Sequence, residues 1–184
     1  MPTKRRTLAN YDLWHISAID QHAHNLLNPQ EAEVWPYGTY FTEASDTAIL
    51  EHHVRHTLFY RRSLRDIAAL LRCDPEEDAI LSRRSELGLE RLSEICFEKS
   101  KFQMVFLDDG FLSDKTLPLR WHERFVPVKR ILRLEFVAEQ ILQQSNSREP
   151  GGFDYFIERF IGQIDPPPPE VVAFKSIAAY RSGL

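Results

Sequence analysis

Two histidines separated by one residue, His22 and His24, close the stretch Asp20-Gln21-His22-Ala23-His24. They follow a short apolar run, Ile16-Ser17-Ala18-Ile19, that reads as a buried strand. Alternate side chains of a strand share a face, so the two imidazoles project together while Ala23 turns the other way. Two imidazoles at a strand end supply half of a divalent-metal site. The competing reading is a pair of buried histidines bonded to backbone carbonyls.

Further polar residues stand where other apolar runs end. Asp108 and Asp109 follow Gln103-Met104-Val105-Phe106-Leu107 and precede Gly110, a context that also suits a capped turn. Arg133 and Glu135 straddle Leu134 and share a face. They either pair with each other or leave Arg133 to bind a substrate carboxylate. Lys175 ends Val171-Val172-Ala173-Phe174, where a lysine is costly unless paired or modified. It is read either as a lysine snorkelling at a sheet edge or as an amine that carries a carbamate or meets an anionic ligand. Elsewhere the signals are weaker. His52, His53 and His56 lack the HExxH pattern and read as a helix face. Arg61, Arg62 and Arg65 lie beside Asp66 on a charged face. Cys73 and Cys96 show no CxxC spacing and read as free core thiols of a reducing compartment.

The elements that must position these residues alternate. Thr7 to His15 reads as a short helix before the first strand. Asn25 to Tyr40, with Pro29, Pro36 and Gly38, reads as a long aromatic-rich loop. From Ala44 to Lys99 the pattern is helical, with Leu64, Ile67, Ala68 and Leu71 as an apolar stripe. Asp74 and Pro75 read as a cap and first helical residue, and Gly88 as a break or bend. Apolar strands follow at 103–107, 128–134 and 171–175. Helices are expected from Glu135 to Gln144 and from the Gly151-Gly152 turn to Ile164. The expected class is α/β, a parallel sheet with covering helices. Four β/α units are visible. They amount either to about half of an eight-unit barrel or to a complete four-stranded domain. In parallel α/β proteins the carboxyl ends of strands collect the active site, and polar residues mark all four.

Size and charge bound the rest. The 184 residues, 43% hydrophobic and 27% charged, suffice for one domain with a core. A net charge of −4 argues against a general nucleic-acid footprint. No apolar stretch has the length of a membrane span, and the start lacks a secretory signal, so cytoplasm is the expected location.

A first-strand motif and four further ordered blocks then add a resemblance. Asp20 to Leu27 looks like the first-strand motif of the amidohydrolase superfamily. Together with Ser63 to Ala68, Leu107 to Gly110, Arg130 to Glu135 and Phe174 to Leu184, it resembles the amidohydrolase-related domain of FluG-type proteins, often fused to a glutamine-synthetase-like domain. The resemblance implies a distorted (β/α)8 barrel, hence a partial TIM-like barrel here. Residues 1–184 would be the N-terminal part of the domain, with 44–99 as a helical insertion. It implies metal-dependent hydrolysis of C–N (amide-type) bonds of a small-molecule substrate, with zinc or manganese as cofactor. His22 and His24 match the first-strand ligands, and Lys175, as a carbamate, the fourth-strand position. Arg133, Glu135, Tyr180 and Arg181 are candidate substrate-binding residues. The later-strand histidines and the general-base aspartate are expected beyond Leu184, so the catalytic residue is unassigned and metal binding is expected to be weak. The alternative is a non-catalytic remnant or interaction module that pairs with a glutamine-synthetase-like partner. Self-association through exposed strand edges is expected in either case.

Overall fold

The computed structural model describes residues 16–44, 46–144 and 152–181. The helix expected at Thr7–His15 and the Gly151 half of the Gly-Gly turn lie outside the described residues. Four strands, β1 (Ala18–His24), β2 (Phe102–Asp108), β3 (Val128–Arg133) and β4 (Val171–Lys175), form one sheet in the order β1-β2-β3-β4. Every pairing is parallel, and the register sets His24 beside Asp108 and Arg133 beside Lys175. All four strands therefore end at one edge of the sheet. A mixed α/β chain with a parallel four-stranded sheet is what the alternating pattern requires.

The segment after β1 is more structured than the expected loop. Asn28 accepts the Glu31 N–H at 2.9 Å and caps α1 (Pro29–Val34), with Pro29 in the first turn where its missing N–H costs nothing. A 3-10 turn follows at Tyr37–Phe41. Then come α2 (Thr47–His52), capped by Asp46, a 3-10 turn at Val54–His56, and α3 (Leu58–Leu71), capped by Thr57. Helix α4 (Glu77–Ser100) begins after Glu76, not at the expected Asp74-Pro75 cap, and bends at Gly88, whose φ of 70° lies outside helical space. Val54, Tyr60, Leu64, Ala68, Leu71, Ile80 and Leu92 form a core belonging to these helices alone.

The sheet has separate cores. Val105, Leu107 and Val126 pack with Phe97, which α4 sends down to the sheet. On the far side Leu132, Val137 and Ile141 pack with Phe156, Phe160 and Ile164. Leu132 comes from β3 and the others from α6 (Leu134–Gln144) and α7 (Gly152–Ile164), while short helices α5 (Leu119–His122) and α8 (Ala178–Arg181) precede β3 and follow β4. Cys73 is half-buried against the helical core. Cys96 is exposed, which corrects its reading as a core thiol. No helix is long and apolar enough to cross a membrane among the described residues.

Candidate functional site

The strand ends bring His22, His24, Asp108, Arg133 and Lys175 into one cluster. The centre is Asp108, only 1% exposed. A buried carboxylate is stable only when its oxygens are held by donors. Arg133 Nε lies 3.1 Å from both Oδ1 and Oδ2, its Nη2 closes a further short bond to Oδ2, and Lys175 Nζ stands 3.1 Å from Oδ2. Burial pushes the Asp108 carboxyl up, but the bonds from Arg133 and Lys175 outweigh it and hold the group below its ordinary value. Arg133 thus pairs with Asp108, not with its near neighbour Glu135. Asp108 is also the turn cap read from the sequence, since Oδ1 accepts the Gly110 N–H at 3.2 Å.

The two imidazoles do share a face, with ring centroids 6.0 Å apart in an edge arrangement. His24 Nδ1–H donates to the Asp108 carbonyl at 3.2 Å, which fixes the ring and leaves its Nε2 lone pair uncommitted among the described residues. Burial lowers the His24 pKa more than the Asp108 carbonyl and carboxylate raise it, so the ring is neutral at pH 7. His22 Nε2 faces Lys175 Nζ at 3.4 Å. A cavity of about 360 Å³ opens onto His22, Asp108 and Lys175, walled by Ile131, Ala173 and Phe174.

Other candidates serve elsewhere. Glu135 Oε1 accepts from Ser176 Oγ at 2.5 Å and from the Ala178 N–H at 3.1 Å, and so ties α6 to the turn after β4. Burial raises the Glu135 pKa, and these bonds bring it below its ordinary value. Tyr180 stands exposed on α8, and Arg181 closes that helix. Asp109 pairs with Arg130 at 2.9 Å on the helix side. His52, His53 and His56 are exposed, as are Arg61, Arg62 and Arg65.

Three residues support the site through contacts that the sequence reading did not give. Phe111 lies 5.0 Å from the His24 ring and 5.4 Å from the Arg133 guanidinium, and so covers both. Gly110 has no room for a side chain: a Cβ would stand 2.9 Å from Arg133 Cβ and 3.0 Å from Phe136 Cβ. His122 is fully buried, donates from Nδ1 to the Pro118 carbonyl and accepts the Leu26 N–H on Nε2 at 3.0 Å. It locks the chain two residues past His24. Asn25 Nδ2 to the Leu117 carbonyl at 2.7 Å and a Leu27–Thr116 bridge complete this seam. The only signals for these three are the Asp-Asp-Gly turn, which invites a close approach, and the Pro-x-x-x-His spacing, which is weak.

Against a divalent metal the donor chemistry is a partial fit. His22 and His24 present imidazole nitrogens, and Lys175 reaches between His22 and Asp108. Asp108 itself is committed to Arg133 and Lys175. Among the described residues no three His, Cys, Asp or Glu side chains converge into a complete metal cradle.

No family model matches the chain. It is similar to Protein fluG of Emericella nidulans, 29% identical over 189 aligned residues that cover 90% of this chain and 21% of that protein. It also superposes, with a TM-score of 0.67 and 23% identity, on a crystal structure from Lactobacillus casei ATCC 334. That protein's naming as a metal-dependent hydrolase is itself provisional; the match covers 92% of this chain and 44% of that one. The chain therefore spans about a fifth of the fungal protein and under half of the bacterial one, and shares the fold of the matched part.

Proposed function

We propose that this chain carries the metal- and substrate-facing N-terminal part of a metal-dependent hydrolase acting on amide-type C–N bonds. The observation that supports it is the convergence of His22, His24 and Lys175 at the carboxyl end of a parallel sheet, around the buried Asp108–Arg133 pair. His22 and His24 would hold the ion, with Lys175 as a third arm in its carbamate form. A divalent metal at such a place lowers the pKa of water and polarises a carbonyl. The chain's own contribution is positional. Asp108 fixes Arg133 and Lys175, the Asp108 carbonyl orients His24, and Phe111 packs against the His24 ring and the Arg133 guanidinium. The short donor set also favours a second reading, a non-catalytic module that pairs with another protein.

Zinc titration of the purified chain tests the first reading. Followed by NMR of the histidine ring protons, it should shift His22 and His24 together, saturate only at high zinc, and lose the effect in His22→Ala. Zinc that leaves both rings unmoved would sink the metal reading in favour of the module. Stoichiometric zinc that survives dialysis would mean that further ligands lie within these 184 residues.

A further inference from the structure

The helix-covered face of the sheet holds a cavity of about 230 Å³ between β3, α6 and α7. Arg130 and Leu132 line it, while Ile131 and Arg133 turn to the opposite face, toward Asp108. The floor is apolar, made by Leu132, Val137 and Ile141, all buried. The rim is rich in nitrogen. Gln140 and Gln144 stand about one turn apart on α6, and Arg159 and Gln163 about one turn apart on α7, so each pair shares a face. Among the described residues no Asp or Glu lines the cavity.

These donors are oriented but uncommitted. Arg130 gives Nε to Asp109 at 2.9 Å, and Glu170 stands 3.8 Å from Nη1, beyond hydrogen-bonding distance and half in solvent. The far edge of the guanidinium, Nη1 and Nη2, therefore donates to nothing among the described residues. Arg159 lies over the Tyr155 ring, 5.7 Å from its centre, and gives one bond to Tyr155 Oη at 3.2 Å. It has no carboxylate partner among the described residues, and the side-chain amides of Gln140, Gln144 and Gln163 make no hydrogen bond there either. Charge and shape then select a ligand class. Asp109 balances Arg130, and the charge of Arg159 is left over, which suits a singly charged anion better than a phosphate dianion. A guanidinium edge matches the two oxygens of a carboxylate. The apolar floor suits a hydrocarbon tail.

We propose that this cavity binds a small monocarboxylic acid, its carboxylate held by Arg130 and Arg159 and its tail laid on Leu132, Val137 and Ile141. The site goes beyond the hydrolase reading and does not rest on it, since it opens on the opposite face of the sheet from His22 and Lys175.

Hexanoate is the probe, followed by NMR of the glutamine side-chain amides and arginine Nε–H groups of the 184-residue chain. It should shift Gln140, Gln163 and Arg159 together and saturate. Hexanol, which has the tail without the charge, and inorganic phosphate, which has charge without the tail, should each bind more weakly. Arg159→Gln should weaken hexanoate binding by roughly tenfold, the effect of one charge-assisted hydrogen bond. It should leave the backbone amides of β2 and β3 unmoved, because Arg159 is exposed. Hexanoate without a saturable shift, hexanol as effective, phosphate more effective, or Arg159→Gln binding as tightly as the wild type would each overturn the site.

Discussion

His122 shows how one side chain sets a working range for the site. Its ring must be neutral, because Nε2 accepts the Leu26 N–H while Nδ1 donates to Pro118. Burial lowers its pKa below the ordinary 6.5, more than its backbone bonds raise it. Above about pH 6.5 the ring is neutral in both folded and unfolded chains, and its stabilising effect is fully present. Below that, the unfolded chain takes up a proton that the folded chain refuses, so stability falls as pH drops toward the folded pKa. Urea denaturation should therefore give a flat stability above pH 7. Below pH 6.5 it should fall by up to about 1.4 kcal/mol per pH unit for this histidine, with His24 adding a share in the same direction. His122→Gln should remove most of that slope, and a slope unchanged in this variant would move the effect to other groups. None of this was legible in the sequence, where His122 sits in no periodic pattern. His22, His24, Asp108, Arg133 and Lys175 were legible, because a polar residue ending an apolar run is visible in one dimension. Their partners were not. Arg133 meets Asp108 across 25 residues because strand register brings them together, while the nearer Glu135 turns to Ser176.

At the scale of elements, the turn after β2 is where sequence chemistry and site geometry join. Asp108 caps it and Gly110 permits it. No Cβ fits between Gly110 and the Arg133 and Phe136 side chains, whose strand end and helix start press against the turn. Gly110→Ala should cost about 1–3 kcal/mol in chemical denaturation, the usual range for overpacking. It should also loosen the Arg133–Asp108 pair, seen as a changed Arg133 Nε–H signal in NMR spectra. Wild-type stability together with an unchanged Arg133 signal would show that the turn relaxes without cost. The strands themselves were readable to within a residue or two as short apolar runs bounded by turn residues, but the first run, read as buried, leaves Ile16 and Ile19 exposed because β1 pairs on one side only among the described residues. Helix α1 was hidden behind Pro29 and Pro36, which read as breakers, although Pro29 stands where a helix tolerates it. The α4 start was misplaced for a related reason. Asp74-Pro75 has the composition of a cap, but Cys73 and Asp74 are still turning out of α3, and the first helical bonds form only after Glu76.

Over the whole molecule, the hydrophobic interior is divided. Helices α2 to α4 close over Val54, Tyr60, Leu64, Ala68, Leu71, Ile80 and Leu92, while the sheet packs on Val105, Leu107 and Val126 and on Leu132, Val137 and Ile141. The C-terminal half of α4 joins the two parts, where Phe97 reaches the sheet core and Glu90 pairs with Arg124. A region with its own core and few shared apolar contacts opens as its own unit. Ile80 is fully buried at the centre of the helical core. Ile80→Ala removes three carbons from a closely packed site and should cost that unit about 2–5 kcal/mol. In native-state hydrogen exchange the amides of α3 and the first half of α4 should lose protection by that amount. Those of β2 and β3, which carry Asp108 and Arg133, should keep theirs. Equal loss in the helices and in the strands would mean that the molecule unfolds as one unit, with Phe97 and the end of α4 coupling the two cores more strongly than their packing implies.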